Sequence, residues 1–144
     1  LLLTQAVPLP RDRERHQSED YLDLLRHSLG GAAPAESPLL PVAPQHRDAM
    51  AEWLARRRAN PAAPLMALAV AAAYGPAKEW PAEHFAALID ELATAGCECV
   101  IVGAPDERAR CVAVASASRA GALVAAGETG IGETIGLLSL CQGF

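Results

Sequence analysis

The chain has 144 residues, of which 51% are hydrophobic and 20% are charged, a balance typical of a globular protein. The net charge of −5 and the 4% of aromatic residues argue against a nucleic-acid partner, which would favour basic surfaces and stacking side chains. The longest apolar run, at residues 63–74, is shorter than the roughly 20 residues that a membrane-spanning helix needs.

The first predicted helix lies within residues 11–29, where apolar side chains recur at helical spacing from Tyr21 to Leu29. Ser18 is its predicted N-cap, and Gly30 is predicted to end it. The four prolines within residues 32–44 then indicate a linker, because proline cannot donate to a central sheet ladder. A domain boundary is therefore expected in this linker.

The next predicted helix, RDAMAEWLARRRA, places Met50, Trp53 and Leu54 on one side. It ends in three consecutive arginines, Arg56, Arg57 and Arg58. Cations suit the C-terminal end of a helix, where the macrodipole favours positive charge. We interpret the arginines as a solvated, dipole-matched helix end, and an anionic partner is the alternative.

The second half of the chain alternates between predicted strands and helices. The runs LMALAV and CECVIVG are continuously apolar, which is typical of strands buried on both faces of a parallel sheet. Strands are predicted at residues 65–70, 97–103 and 123–125. A helix follows each strand. The first has Pro81 in its first turn and Gly96 at its end, the second covers residues 104–118, and the third has an apolar face that contains Ile131, Ile135 and Leu138. This order predicts an α/β fold with a right-handed parallel sheet.

Three loops follow the predicted strands, at residues 73–80, 103–107 and 126–132. In an open parallel sheet, ligands bind beyond the carboxyl ends of the strands, so these loops are expected to face one crevice. The first loop places Lys78 just before a helix N-terminus, where backbone N–H groups favour an anion and a lysine suits phosphate. The P-loop pattern GxxxxGK[ST] is absent, and an exposed lysine without a ligand is the alternative.

The second loop places Asp106 and Glu107 after Gly103. A carboxylate after a strand can accept two hydrogen bonds from ribose hydroxyls, whereas acidic residues in a first helical turn more often stabilise the helix dipole. Both interpretations of Glu107 stay open. His84 is either a ligand contact or a partly exposed helix residue, and the second interpretation is favoured.

The third loop and the following helix contain Gly127, Gly130, Gly132 and Gly136. Their spacing differs from the dinucleotide-binding motif GxGxxG, which belongs in the first βα turn, so nicotinamide cofactors are set aside. Thr129 either caps the following helix or binds a phosphate, with capping favoured. No Ser–His–Asp or Cys–His arrangement for nucleophilic catalysis can be traced.

Cysteine usage favours a reducing compartment. The four cysteines, Cys97, Cys99, Cys111 and Cys141, do not form the paired CxxC motifs that hold zinc. Buried, reduced thiols are expected in preference to a zinc site or disulfides, and no metal or cofactor is predicted. Reduced thiols favour the cytoplasm.

Three sequence blocks carry a resemblance to a known family. AYGPAKEWPAEHFAALIDEL, GCECVIVGAPDE and AGETGIGETIGLLSLC resemble, in order and spacing, segments of the bacterial ADP-heptose:lipopolysaccharide heptosyltransferases, glycosyltransferase family 9. The first block is similar to the family segment GxxYGPAKRWP, the second to a VLVG strand with its acidic loop, and the third to LAGxTSLxExIxLLxxC. The resemblance covers residues 65–141 and is strongest to the heptosyltransferase II branch.

The resemblance implies a GT-B fold, in which the C-terminal of two Rossmann-like domains holds most of the nucleotide-sugar donor. Residues 1–31 would be the tail of the N-terminal acceptor domain, residues 32–60 a linker with a connecting helix, and residues 61–144 the first half of the donor domain. The chain begins without methionine and ends in LSLCQGF, where a helix hands over to a strand. We therefore expect a segment of a longer enzyme.

The resemblance also implies roles for individual residues. Lys78 would contact the donor phosphates, Tyr74 and Gly75 would wrap them, Glu107 would meet the donor ribose, and Thr129 would belong to the donor site. Two departures bear on donor binding. Glu79 stands where the family has arginine, which lowers the positive potential, and alanine stands at a family glycine before the tyrosine turn.

The function implied by the resemblance is inverting transfer of a heptose from ADP-heptose to the inner core of lipopolysaccharide, at the cytoplasmic face of the inner membrane. The catalytic base and a later Asp-Ser-Gly-x-x-His segment would lie outside this chain. No catalytic residue is therefore assigned here, and the chain by itself is expected to be inactive. The alternatives are a non-catalytic nucleotide-sugar-binding α/β domain and an inactive remnant.

Overall fold

The computed structural model describes Val7 and residues 16–30, 40–72 and 80–144. The chain divides into two compact units, Leu1–Leu39 and Leu40–Phe144. Within the described residues, no helix combines the length and the apolar character needed to cross a membrane.

The first unit contains helix α1, Gln17–Leu29. Its N-cap is His16 and not the predicted Ser18, because the His16 Nδ1 accepts a hydrogen bond from the Ser18 backbone N–H at 3.2 Å. An imidazole nitrogen thus satisfies a first-turn N–H in place of the expected serine hydroxyl. Gly30 ends the helix as predicted, with a φ of 67° that glycine adopts without strain.

The second unit is built on a parallel sheet. Its described strands are β1 (Leu65–Ala69), β2 (Glu98–Val102) and β3 (Leu123–Val124), hydrogen-bonded in the order β1-β2-β3. β1 pairs with β2 along its whole length, and β3 pairs with Val100 and Ile101 of β2. The predicted α/β fold with a Rossmann-like parallel sheet is confirmed.

Helices cover both faces of this sheet. Helices α3 (Ala82–Thr94) and α4 (Arg108–Ala117) pack on one face, and helices α2 (Pro44–Ala55) and α5 (Ile131–Leu138) pack on the other. Successive side chains of a strand point to opposite faces, so neighbouring residues of β2 enter different cores. Val100 packs in the core with Met50 and Leu137, whereas Ile101 packs in the core with Ile89 and Val114.

Two helix starts differ from the prediction by a few residues. Pro81 is the N-cap of α3 and precedes its first turn. Asp106 and Glu107 do not lie in the first turn of α4, because the separate 3-10 turn Pro105–Glu107 comes before that helix. The proline at the start of this turn has its φ fixed near the helical value, which favours a tight turn there.

Helices α2 and α5 pack closely against one another. Gly132 and Gly136 of α5, four residues apart, both face His46 of α2. The helix that was assigned to the linker therefore packs within the second unit. The division into residues 1–31, 32–60 and 61–144 remains a prediction.

The arginines after α2 form ion pairs within the chain. The Nε of Arg58 lies 2.5 Å from the Glu98 carboxylate, and Arg57 pairs with Glu128 at 3.3 Å. Burial acts to raise the pKa of Glu98, but hydrogen bonds from Arg58 and the Asn60 backbone lower this pKa by more. The interpretation of a solvated helix end was therefore wrong for Arg58, whose side chain is only 11% exposed, whereas Arg57 is exposed and also forms an ion pair.

The segment after α5 pairs with the other edge of β1. The Ala67 N–H donates to the Gly143 carbonyl at 2.9 Å, and the Gln142 N–H donates to the Leu65 carbonyl at 2.8 Å. The chain therefore passes from β3 at one side of the sheet to the far side of β1. Such a reversal of strand order opens a crevice at the carboxyl ends of the strands.

Candidate ligand-binding site

A cavity of about 570 Å³ lies at the carboxyl ends of β1 and β2. Ala69 and Ala71 line it at the end of β1, and Val102 and Gly103 line it at the end of β2. Its remaining lining residues belong to the loop after β2 and to the loop and helix after β3: Ala104, Pro105, Glu107, Thr129, Gly130, Ile131, Thr134 and Ile135. Two of the three predicted loops therefore face one crevice.

The first predicted loop lies almost wholly outside the described residues. Tyr74, Gly75 and Lys78 belong to this part of the chain, so their predicted roles stay predictions. Ala71 lines the cavity two residues before this part begins. Arg110 of α4 donates through Nε to the Val70 carbonyl at 2.9 Å, which fixes the end of β1 at this point.

Glu107 lies at the cavity edge, where its carboxylate is held by the backbone. Its Oε2 accepts a hydrogen bond from the Ala104 N–H at 2.7 Å, and its own N–H donates to the Ala104 carbonyl at 3.1 Å. A Cβ at Gly103 would come within 2.9 Å of Glu107 Oε2, so glycine makes room for the carboxylate. Glu107 thus caps its own 3-10 turn, and the same carboxylate lines the cavity.

Thr129 lines the cavity but does not cap α5. The N-cap is Gly130, whose N–H donates to Glu133 Oε2 at 2.6 Å. Thr129 Oγ1 instead lies 3.0 Å from the hydroxyl of Thr134, which also lines the cavity. The capping prediction was wrong because Glu133 reaches back to the helix start. Thr134 was missed, although its position one turn into a helix that opens beside the site was a usable signal.

Ile131 differs from the apolar face predicted for α5. Its side chain is 84% exposed at the first position of the helix and lines the cavity, whereas Leu137 is fully buried. The first turn of α5 therefore offers an apolar side chain to the cavity. Leu138, of the same predicted stripe, does pack against the core beside Leu137.

His84 packs on an aromatic cluster. Its ring lies 5.3 Å from that of Trp80, which is also 5.1 Å from the ring of Phe85. Among the described residues, those that line the cavity do not include His84. The favoured interpretation of an exposed helix residue agrees with this position.

Glu128 is the centre of a polar cluster beside the cavity that sequence reasoning missed. It accepts hydrogen bonds from the Trp53 indole at 3.0 Å and from Arg108 at 3.0 Å, and it pairs with Arg57 at 3.3 Å. The Trp53 hydrogen bond, followed by Arg108, lowers the pKa of the Glu128 carboxyl. No local pattern signals this cluster, since Trp53 and Glu128 are 75 positions apart.

The expectation of buried thiols holds for two of the four cysteines. Cys99 and Cys111 are buried, and all four cysteines are free. Burial raises the pKa of Cys99 to about 11, which makes its thiol unreactive at neutral pH. Within residues 16–30, 40–72 and 80–144, no three His, Cys, Asp or Glu side chains converge as metal ligands would.

A parallel sheet covered on both faces, with a cavity at the carboxyl ends of its strands, defines a Rossmann-like α/β domain. The fold is similar to the glycosyl transferase family 9 protein from Veillonella parvula DSM 2008, with a TM-score of 0.77 and 21% identity, over 97% of this chain and 40% of that chain. It is also similar to E. coli ADP-heptose lps heptosyltransferase II, with a TM-score of 0.65 and 23% identity, over 77% of this chain and 34% of that chain. A model of glycosyltransferase family 9 (heptosyltransferase) matches residues 1–144, and the chain belongs to this family.

The predicted family and fold are thereby confirmed. The chain spans less than half the length of each of the two solved structures. Among curated proteins, none matches the sequence significantly. The donor, the acceptor and the assignment to heptosyltransferase II are finer predictions and belong to the proposal below.

Proposed function

We propose that the chain is the donor-binding part of a heptosyltransferase that moves a heptose from ADP-heptose to the inner core of lipopolysaccharide. The observation that carries the proposal is the cavity at the carboxyl ends of β1 and β2, which Glu107 and Thr129 both line. Membership of glycosyltransferase family 9 and the likeness to a heptosyltransferase II structure support it.

The cavity has the size and chemistry that a nucleotide sugar requires. Its volume of about 570 Å³ falls within the range of roughly 300–1,000 Å³ of small-molecule sites. Glu107 would accept hydrogen bonds from the ribose hydroxyls, and the Thr129–Thr134 hydroxyl pair would bind a polar group of the donor. Apolar walls at Ala69, Val102 and Ile131 would exclude water from the bound donor.

The proposed reaction is an inverting transfer. An acceptor hydroxyl, deprotonated by a carboxylate of the acceptor domain, attacks the anomeric carbon of the heptose while ADP departs from the opposite side. Lys78 would stabilise the negative charge that builds on the leaving diphosphate, and Tyr74 and Gly75 would wrap that diphosphate. We place the enzyme at the cytoplasmic face of the inner membrane, where it would meet its lipid-linked acceptor.

The test is titration of the purified protein with ADP-heptose and ADP, with UDP and GDP as controls. A transfer assay on a lipopolysaccharide inner-core acceptor follows, with the full-length gene product. Selective binding of the adenine ligands together with heptose transfer supports the proposal. Binding without transfer would favour a non-catalytic nucleotide-sugar-binding domain, and the lack of both would favour an inactive remnant.

A further inference from the structure

One ion pair joins the two loops that form the walls of the cavity. Arg108 directly follows Glu107, and Glu128 directly precedes Thr129. The Arg108 Nη2 lies 3.0 Å from Glu128 Oε1, and the Arg108 Nη1 donates to the Ala126 carbonyl at 2.6 Å. The Arg108 guanidinium, which follows the loop at residues 103–107, thus binds the loop at residues 126–132 at two points.

Glu128 is also held from the opposite face of the sheet. Its Oε2 accepts a hydrogen bond from the Trp53 indole N–H at 3.0 Å, and the Arg57 guanidinium lies 4.4 Å from the centre of the Trp53 ring. Trp53 belongs to α2 and Arg108 to α4, which pack on different faces of the sheet. Glu128 therefore ties both helical layers to the loop that carries Thr129.

The two loops also approach closely through their backbones. A Cβ at Gly127 would lie 3.2 Å from the Cα of Pro105, and Gly127 adopts a φ of 73°. The Gly127 N–H donates to the Gly103 carbonyl at 3.3 Å. The backbone contact therefore sets how closely the loops approach at Gly127, and the Arg108–Glu128 ion pair adds a side-chain link between them.

We propose that Arg108 and Glu128 are positioning residues that hold Glu107 and Thr129 at the separation that a nucleotide-sugar donor requires. This inference rests on the proposed function. Among the described residues that line the cavity, neither Arg108 nor Glu128 appears, so they act through their chain neighbours.

The exposure of the Arg108–Glu128 ion pair allows a positioning role to be distinguished from a contribution to the stability of the fold. The side chains of Arg108 and Glu128 are 43% and 32% exposed, and ion pairs this accessible add little to the free energy of unfolding. If the site is correctly arranged in only a fraction of the molecules, the apparent association constant falls to that fraction of its intrinsic value. Removal of the pair should therefore raise the dissociation constant for the donor severalfold and change the melting temperature little.

The experiment is a double-mutant cycle of Arg108→Ala and Glu128→Ala, read by calorimetric titration with ADP-heptose and ADP and by melting temperature. We expect each single variant to raise the dissociation constant about three- to tenfold, and the double variant to add little more. Glu128→Gln keeps an acceptor for Trp53 and Arg108 and should recover part of the loss. Arg119→Ala, which removes a 3.1 Å ion pair with Asp90 beyond the other end of α4, is the matched control and should bind normally.

The outcomes separate this inference from the proposed function. If the unmutated protein binds neither ligand, the proposed function fails and the inference fails with it. If that protein binds and the variants bind equally tightly, the inference alone is overturned. It is also overturned if affinity falls only in proportion to lost folding, or if Arg119→Ala weakens binding as much as Arg108→Ala.

Discussion

Gly136 of α5 lies directly against the backbone of His46 in α2. A Cβ at position 136 would lie 2.7 Å from both the carbonyl carbon and the carbonyl oxygen of His46. These backbone atoms cannot withdraw without moving α2, whose Met50 and Leu54 are buried in the core. The contact requires glycine at position 136 and sets how closely the two helices approach.

We expect Gly136→Ala to lower the free energy of unfolding by about 1–3 kcal/mol, because overpacking at a rigid contact outweighs the better helix propensity of alanine. Gly132→Ala is the matched control, since the three atoms nearest to a Cβ there belong to the imidazole ring of His46, a side chain that can move more easily than backbone. Urea unfolding of both variants measures the difference. Equal losses would show that the backbone contact is not the cause.

Asp90 should make stability depend on acid pH. The Ser118 hydroxyl and the Ala120 N–H donate to its carboxylate at 2.7 and 3.0 Å and, with Arg119, lower the pKa from 3.8 to about 2. Because the folded pKa lies below the unfolded one, this stabilisation is present above about pH 3.8 and is lost as the pH falls towards 2.

Urea unfolding across this pH range tests the Asp90 prediction. Asp90→Asn should be less stable than the unmutated protein at neutral pH and should lose less stability in acid. Ser118→Ala removes the largest contribution to the pKa shift of Asp90, so the loss of stability in acid should be smaller and should be complete at a higher pH. An unchanged acid slope in both variants would assign the pH dependence to other groups.

The ion pair between Arg58 and Glu98 should contribute to stability. The two side chains are only 11% and 21% exposed, and Arg58 also donates to the carbonyls of Asn60 and Ala63. We expect Arg58→Ala to cost about 1–3 kcal/mol, because it leaves a sheltered carboxylate short of its donor. Chemical unfolding measures this loss.

Arg56→Ala is the control for the Arg58 prediction. Arg56 and Glu52 form a looser pair at 3.6 Å, with side chains 69% and 75% exposed. Its loss should change the free energy of unfolding by less than about 1 kcal/mol. A similar cost for both variants would contradict the role assigned to burial.

Lys78 is the single lysine of the sequence, which makes its predicted phosphate contact directly observable. We expect Lys78→Ala to weaken ADP-heptose binding by about 1.5–3 kcal/mol, the range for a hydrogen bond to a charged group. Reductive methylation with a carbon-13 label gives one lysine signal, which should shift when ADP is added. An unchanged signal and dissociation constant would remove Lys78 from the site.

Glu107 should contribute to the binding of ADP and of adenosine alike, because its predicted partner is the ribose. Glu107→Ala should raise the dissociation constants of ADP and adenosine by a similar factor in calorimetric titrations. Glu107→Gln keeps an acceptor for the Ala104 N–H, so it separates the loss of the turn cap from the loss of charge. Weaker binding of ADP with normal binding of adenosine would move Glu107 away from the ribose.

Much of the architecture followed from local sequence patterns. The apolar runs of β1 and β2 could be predicted from the sequence because a strand covered on both faces has few polar positions. Gly30 and Gly96 mark helix ends because both adopt positive φ, at 67° and 83°. The grouping of two site loops followed from topology, since parallel strands direct their carboxyl ends to one edge of the sheet.

The finer features of the site depended on contacts between distant residues. Thr129 was expected to cap α5, but Glu133 takes that role, because capping depends on which side chain can reach back to the helix start. Gly132 and Gly136, two of the four glycines that resembled a nucleotide motif, serve the packing of α5 on α2.

The sequence alone determined the order of strands and helices, the glycines that end α1 and α3, and the family, because these depend on periodicity, backbone conformation and short motifs along the chain. Only the tertiary structure decided that Glu128 accepts hydrogen bonds from Trp53 in one helical layer and from Arg108 in the other. These partners lie 75 and 20 positions away along the chain. The physical reason is that an ion pair between distant residues requires no local spacing. It forms wherever the packing of helices on the sheet brings charged side chains within reach.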